Sequence, residues 1–325
     1  MNRSRVLWTL AAVAITALAL WWMLDAKAIA ELVRATRDAH GWRLLFALCM
    51  VPLIQLARAM RFDLMLSGRL RRPSYELYRI GCLLLFFNYA LPFRAGEVSF
   101  PLLAKRRLGV NVSSSAGVLL FTRVLDLVAV VTVAAVAAAI VLRDGIGALS
   151  RGALTGVAVA GLLCMILLPV TGRFAHSGLV RAAQRFPKVE RTVSKLFDGV
   201  HNLRTPQQQV GSLALTVTVW GLQMVMSYTA ATAVADLSLA QVVLAQSAAT
   251  LAFALPINGV AGVGPTQAAW ALALERTGET FELGVTTALI WHAVPLMGVL
   301  LLAALVARSP KGPPPTQGAQ SAGEA

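Results

Sequence analysis

Charge is scarce in this chain. Only 14% of its 325 residues are Asp, Glu, Lys or Arg, where soluble domains carry about 25%, so it lacks the groups that keep a globular surface wet. Acidic residues are the scarcer sign, 15 against 29 Lys and Arg. Three cysteines, Cys49, Cys82 and Cys164, all lie within apolar runs; that excludes a disulfide framework and a cysteine metal site, and they read as small buried residues. There is no phosphate-binding loop, no paired metal-ligand spacing and no nucleophile elbow. The Gly262-x-Gly264 pair lacks both the preceding strand and the remaining glycine of a dinucleotide fingerprint. The sequence therefore encodes no ATPase and implies no cofactor, and the expectation is a protein that is not an enzyme.

What the chain has in excess is apolar length. Apolar residues make up 57% of it and gather in blocks at roughly 6–24, 41–57, 77–91, 116–142, 153–170, 210–235, 240–257 and 282–307. Blocks of about 20 with few charges are what a hydrocarbon slab about 30 Å thick selects. The formal charge of +14 does not indicate a nucleic-acid partner, because the basic residues sit between apolar blocks and form no stripe or binding motif. Basic loops between spans are the mark of cytoplasmic loops.

The first block runs from Val6 to Leu24 behind Arg3 and Arg5 and contains Trp21-Trp22, so it reads as a retained first span, not a cleaved signal peptide. Residues 25–40 mix Lys27, Glu31, Arg34, Arg37 and Asp38 with Ile29, Leu32 and Val33, which predicts a short amphipathic surface helix. The basic stretch 171–209 reads as a cytoplasmic helical loop, and the Pro/Gly/Ser/Gln-rich tail 309–325 as disordered. Placing Arg58, Arg61, Arg69, Arg71, Arg72 and the 171–209 loop in the cytoplasm puts both termini there too, in a cell (inner) membrane.

Two segments break a simple zigzag. The run 77–91 meets Leu91-Pro92-Phe93-Arg94-Ala95-Gly96-Glu97, then returns to Lys105-Arg106-Arg107, which belong on the side the chain came from. The run 240–255 meets a Pro256-to-Pro265 stretch holding three glycines, then returns to the acidic Glu275–Glu282 side. Each is expected to be a re-entrant helical hairpin, since bare backbone at that depth must be packed in protein or line a wet cavity. Gly96 and Gly264 are 168 residues apart; Gly109 and Gly278, like Arg123 and His292, are 169 apart. The fold expected is an all-α polytopic membrane protein. It has about six full transmembrane helices plus two re-entrant hairpins, in half-repeats at about 75–142 and 240–307 of a domain spanning 1–308. Inverted halves meeting at the midplane are the layout of many secondary transporters.

The candidate site follows from charges in apolar surroundings. Arg123 and Asp126 share one helix face, and a span starting near Ser113 puts Arg123 about 15 Å deep. There a lone charge costs several kcal/mol and normally pairs. Two readings overlap: a structural ion pair of Arg123 with Asp126 or Glu97, and a guanidinium fork offered to a phosphate or other anion. Arg94 and Glu97 sit at the first hairpin tip, where half-helix ends attract anions, with Asn88 nearby either to hydrogen-bond the same ligand or to satisfy freed backbone groups. His292 is the counterpart of Arg123, either a packing residue or a proton relay. Gln267 stands where the first half has Glu97 and, being neutral, leaves its half with less charge.

Arg58-x-x-Arg61, the run Asn88-Tyr89-Ala90-Leu91-Pro92-Phe93-Arg94-Ala95-Gly96-Glu97 and Arg123-Val124-Leu125-Asp126 together resemble the flippase-like membrane domain of lysylphosphatidylglycerol synthases. The resemblance extends from about residue 5 to residue 307. The second half departs from the family's pattern: the turn reads Gly262-Val263-Gly264-Pro265-Thr266-Gln267, with glutamine for glutamate, and Trp291-His292 stands where the family has Tyr-Arg. The resemblance implies translocation of a lipid headgroup between leaflets, here without the aminoacyl-transferase domain of the bifunctional members. A headgroup would meet Arg94, Glu97, Arg123 and Asp126. The alternative is a membrane-embedded enzyme or an accessory subunit acting on polyprenyl-linked, aminoacylated or glycosylated lipids. The expected partner is a membrane lipid; a lipid-modifying enzyme and a second copy of the chain remain open, and nucleic acid is excluded.

Overall fold

The computed structural model describes residues 17–18, 21–23, 26–67, 74–90, 96–142, 148–183, 205–255 and 260–308. All regular structure among them is helical. In chain order the helices are α1 (Ala26–Arg37), α2 (Gly41–Ser67), α3 (Tyr75–Ala90), α4 (Ser99–Leu108), α5 (Val112–Val141), α6 (Ala148–Ala183), α7 (Pro206–Ala231), α8 (Leu239–Ala254), α9 (Pro265–Glu275) and α10 (Phe281–Arg308).

Five stretches are long and apolar enough to cross a membrane: α2, α5, residues 150–167 of α6, α7 and α10. The chain is a multi-pass helical bundle. The expected first span, 6–24, falls largely outside the described residues, as do the 309–325 tail and positions 184–204 of the basic loop. Besides the 12-residue α1, four helices are short. α3 and α8 have 16 residues each, α4 has 10 and α9 has 11. At 1.5 Å per residue these are about 24 Å and 16 Å long, less than the hydrocarbon thickness.

Local chemistry fixes the ends. Asn111 caps α5 by accepting the Ser113 N–H at 2.9 Å. Reciprocal capping boxes, Thr205 with Gln208 and Ser238 with Gln241, open α7 and α8. α4 stops at Gly109, whose φ of 69° ends the helix with its N–H on the Lys105 carbonyl, and Lys105, Arg106 and Arg107 in the last turn complement the helix dipole.

α2 lies along α7, α5 along α6, and α8 against both α9 and α5, while α10 packs on α2, α3 and α9. Phe62 of α2, Ile80 of α3, Phe100 of α4 and Phe121 of α5 form one apolar cluster, with the Phe62 and Phe100 rings 4.5 Å apart. A second gathers Trp270 and Trp291, stacked at 4.6 Å, with Leu237, Val242 and Leu274. Close backbone approach sets the α9–α10 contact, since a Cβ on Gly284 would meet the Ala271 Cα at 2.7 Å. The α6 window is only 6% buried, with Val159, Leu162, Leu163 and Ile166 turned outward, as a lipid-facing helix requires.

Three expectations are amended or filled in. α2 does not stop near residue 57 but runs to Ser67, so Arg58 and Arg61 lie inside it and not in a cytoplasmic loop. Arg61 is 2% exposed; a helix can continue through an arginine whose charge is met inside the bundle. Of the three cysteines only Cys82 is buried; Cys49 is exposed and Cys164 half-buried, because an apolar run in a bilayer has outward as well as inward faces. The surface helix over 25–40 is α1, with Lys27, Arg34 and Arg37 exposed and Ala28 and Ala35 buried.

Candidate functional site: a charged cavity inside the bundle

A cavity of about 370 Å³ is bounded by helices α2, α3, α5, α7, α8, α9 and α10 and by Glu97. That lies at the lower end of the range of about 300–1,000 Å³ for small-molecule sites. Its wall is apolar on many sides, through Val51, Ile54, Leu85, Leu120, Val130 and Met226, and charged on one.

Asp126, on α5, anchors the charged side. Arg61 of α2 clasps it bidentately, Nη1 donating to Oδ1 at 2.7 Å and Nη2 to Oδ2 at 3.0 Å, and Trp220 of α7 donates its indole N–H to Oδ1 at 3.1 Å. Arg61 Nη1 also reaches the Thr216 hydroxyl at 3.3 Å. One carboxylate thus ties α2, α5 and α7 together. The fork is the geometry in which arginine and carboxylate offset each other's desolvation best.

Arg123 lies one turn before Asp126. Its Nε stands 2.9 Å from Glu97 Oε1 and its Nη1 3.6 Å from Asp126 Oδ2. The Nε and Oε1 atoms are not aligned as a hydrogen bond, so the contact is a charge pair. The side chains of Arg123 and Glu97 keep 31% and 30% exposure, against 3% for Arg61. Arg61 is therefore the locked partner and Arg123 the one with surface on the cavity. Counting from Val112, Arg123 is about 17 Å into α5.

Glu97 is delivered by a single turn of tight helix at 96–98. A Cβ at Gly96 would run into the α3 backbone at Phe87 and Asn88 and come within 2.7 Å of Asn88 Oδ1. Only glycine lets the chain turn this close to α3. The Ser99 hydroxyl donates to the Gly96 carbonyl at 2.5 Å.

Arg58 enters the cavity from α2. Its Nη2 donates to Gln223 Oε1 at 2.8 Å and its Nη1 reaches Gln55 Oε1 at 3.5 Å.

Among the described residues, helices α8–α10 bring no Asp, Glu, Lys or Arg to the cavity. The ring of His292 on α10 puts Nε2 2.9 Å from the Ala261 carbonyl and packs edge-on to Tyr89 at 5.5 Å. Gln267 accepts the Gly264 N–H at 2.8 Å. These two side chains grip a turn in which Ala261, Gly262 and Gly264 all have positive φ, 57°, 77° and 120°. A Cβ at Gly262 would strike the Phe253 ring at 2.6 Å.

Of the residues singled out by sequence, Asn88, Glu97, Arg123, Asp126 and His292 line the cavity. Gln267 is fully buried behind it, serving the turn. Arg94 lies outside the described residues. Sequence reasoning missed Gln55, Trp220 and Gln223 and misplaced Arg58 and Arg61. The signal was present for the two arginines: Met60, Phe62, Leu64, Met65 and Leu66 follow at once, so the apolar character does not end at Arg58.

Several apolar spans meeting at a largely apolar cavity that carries charged side chains define a polytopic α-helical membrane protein built around a guanidinium–carboxylate cluster. The chain belongs to the family described as the lysylphosphatidylglycerol synthase TM region, which it matches over residues 9–303. Comparison with curated proteins and with solved structures returned no match.

Proposed function

We propose that this protein moves a lipid with an anionic or zwitterionic headgroup between leaflets, the headgroup passing through the cavity while its tails stay in lipid. The observation that carries the reading is that Arg123 and Glu97, both partly exposed, line a cavity among the helices. Charged groups cross bare hydrocarbon only at great cost, and a cavity holding paired charges lowers it. A phosphate can take Arg123 from Glu97 and give it back, so the ion pair is a placeholder for the headgroup. Arg94, Asn88 and Asp126 belong to the same path in this reading, with Gln267 and His292 supporting its neutral wall.

The reading takes α3–α4 and α8–α9 as re-entrant hairpins of an inverted repeat, with both termini cytoplasmic. In support, α3, α4 and α5 have 16, 10 and 30 residues, and α8, α9 and α10 have 16, 11 and 28. Arg123 and His292 each fall 11 residues after the start of the long helix, from Val112 and Phe281. Gly109 and Gly278 both have positive φ at the bend before it.

The test is reconstitution of the purified chain in vesicles carrying NBD-labelled phosphatidylglycerol, with loss of outer-leaflet fluorescence on adding dithionite. Wild type is expected to exchange the probe between leaflets faster than protein-free vesicles. Arg123→Ala should bring the rate to the protein-free level while the protein stays monodisperse. Unchanged exchange in that variant would remove Arg123 from the path.

A further inference from the structure

Among the described residues His292 is the only histidine lining the cavity, and histidine is the side chain whose ordinary titration falls between about pH 5 and 8. The Ala261 carbonyl only accepts, so Nε2, 2.9 Å away, is the donor and keeps its hydrogen in both charge states. The neutral ring therefore carries its lone pair on Nδ1. Among the described residues nothing bonds Nδ1, and it does not count with the sealed, unpartnered polar atoms such as Gln267 Nε2 and Thr286 Oγ1. A proton can thus join Nδ1 without breaking the bond that ties α10 to the turn at 260–262.

The groups around the ring give that proton a consequence. From α3, Tyr89 packs edge-on to it at 5.5 Å. The 260–262 turn presents a backbone carbonyl, and α8 presents Phe253 beside Gly262. Across the cavity stand Arg58 of α2, Arg123 and Asp126 of α5, and Glu97, while α7 and α9 line it with neutral side chains. With Arg61 clasping Asp126, three guanidiniums meet two carboxylates among the described residues. The cluster therefore holds one positive charge in excess. A proton on His292 raises that excess to two, and an anionic headgroup brings it back to one. Each favours the binding of the other, and by the same factor.

We infer that His292 is a proton-binding site and that the carrier takes up one proton with each singly charged headgroup. This rests on the lipid-carrier reading above and adds the ion that accompanies the lipid. The proton comes from water, joins the Nδ1 lone pair and is given back to water when the headgroup leaves; no other bond forms or breaks. Proton and headgroup together cross as a neutral unit, which removes the cost of moving net charge against a membrane potential. In the paired-hairpin layout Arg123 is the permanent cation of one half and His292 the conditional cation of the other.

The test counts protons. Dihexanoyl-phosphatidylglycerol is titrated calorimetrically into the purified full chain in non-ionic detergent, in two buffers of different ionisation enthalpy, with dihexanoylglycerol as the uncharged control. The phosphodiester stays ionised near neutral pH, so protons taken up enter the protein. Wild type should take up a large fraction of one proton per lipid. Its affinity should be highest at low pH and weaken by up to about tenfold per pH unit as pH rises through the histidine range. His292→Gln, which keeps an N–H for the Ala261 carbonyl, should take up none and bind more weakly, with no pH dependence there. His292→Arg, a fixed cation, should bind with the low-pH affinity at every pH in that range. Glu97→Gln removes the other group that could accept a proton once Arg123 turns to the headgroup, and should keep the wild-type uptake.

Uptake that survives in His292→Gln and disappears in Glu97→Gln overturns the inference and leaves the carrier reading standing, as does tight wild-type binding without proton uptake. If wild type fails to distinguish the phospholipid from dihexanoylglycerol, the carrier reading falls and takes the inference with it. Should neither His292 variant fold, Glu97→Gln decides: uptake kept within the histidine range supports the site, and uptake lost overturns it.

Discussion

Replacing Arg61 by leucine leaves Asp126 in the bundle without its main counter-charge. Arg61 contributes two of the three hydrogen bonds to that carboxylate, at a site where the two side chains are 3% and 15% exposed. At about 4 Å between charge centres and an effective dielectric near 20, the direct attraction is about 4 kcal/mol. Breaking a buried pair by removing one partner generally costs about 3–5 kcal/mol. The Arg123 guanidinium at 3.6 Å and the Trp220 N–H at 3.1 Å remain to hold the carboxylate, so the expected loss is about 2–4 kcal/mol, within the cost of breaking a buried pair. Asp126→Leu strands Arg61 instead and should cost a similar amount. The double variant buries two leucines and no stranded pair, so it should be more stable than either single variant, with a coupling of about 2–3 kcal/mol. Reversible unfolding of the four proteins in mixed detergent–SDS micelles measures the cycle. A coupling below about 0.5 kcal/mol would mean that the clasp contributes nothing to joining α2 to α5, and the account of α2 continuing through its arginines would fail.

The glycines separate packing from backbone strain. Gly109→Ala, with φ of 69° and nothing within 4 Å of the new Cβ, should cost only about 1 kcal/mol. Gly96→Ala must push the 96–98 turn off α3 and should cost more than about 2 kcal/mol and displace Glu97; equal losses in thermal stability would contradict the close approach. In vesicles both Cys49, on the outward face of the α2 span, and buried Cys82 should stay unreacted with a water-soluble maleimide until the protein is denatured, as read by mass shift. Labelling of Cys82 in folded protein would count against the α2–α3–α4–α5 core.

Most of the charged site was legible because charges inside apolar runs are rare and must be accounted for. Glu97, Arg123 and Asp126 stood out, and all three line one cavity. The same logic misled at Arg58 and Arg61, where two arginines after an apolar run look like the end of a span. What rescues them is Asp126, 65 residues away from Arg61, and no local window contains that partner. Gln55, Gln223 and Trp220 carried no signal at all, because single amides and indoles occur in many spans for packing alone. Gln267, expected as the counterpart of Glu97, has a local role: its amide oxygen ties down the Gly264 N–H. The first span and Arg94 fall outside the described residues, so their expectations carry forward into the proposal unchanged.

The turn at 260–264 invites one further test. Gln267 and His292 serve the same turn, one holding the Gly264 N–H and the other reaching the Ala261 carbonyl. Gln267 is 0% exposed and His292 5%, and among the described residues neither forms an ion pair with a charged side chain that could share a new charge. Gln267→Glu keeps the acceptor for Gly264 but adds a negative charge in a dry site, a cost of several kcal/mol unless it is paired or protonated. His292→Arg adds the opposite charge on the other side of the turn and gives up a snug ring packed between Tyr89 and Gly262. Together the substitutions recreate a carboxylate and a guanidinium like Glu97 and Arg123, so their effects should not add. The double variant should unfold at least 1 kcal/mol less easily than the sum of the single losses implies. If the losses simply add, the two side chains do not face a common space, and the equivalence of the two halves would be one of chain order only.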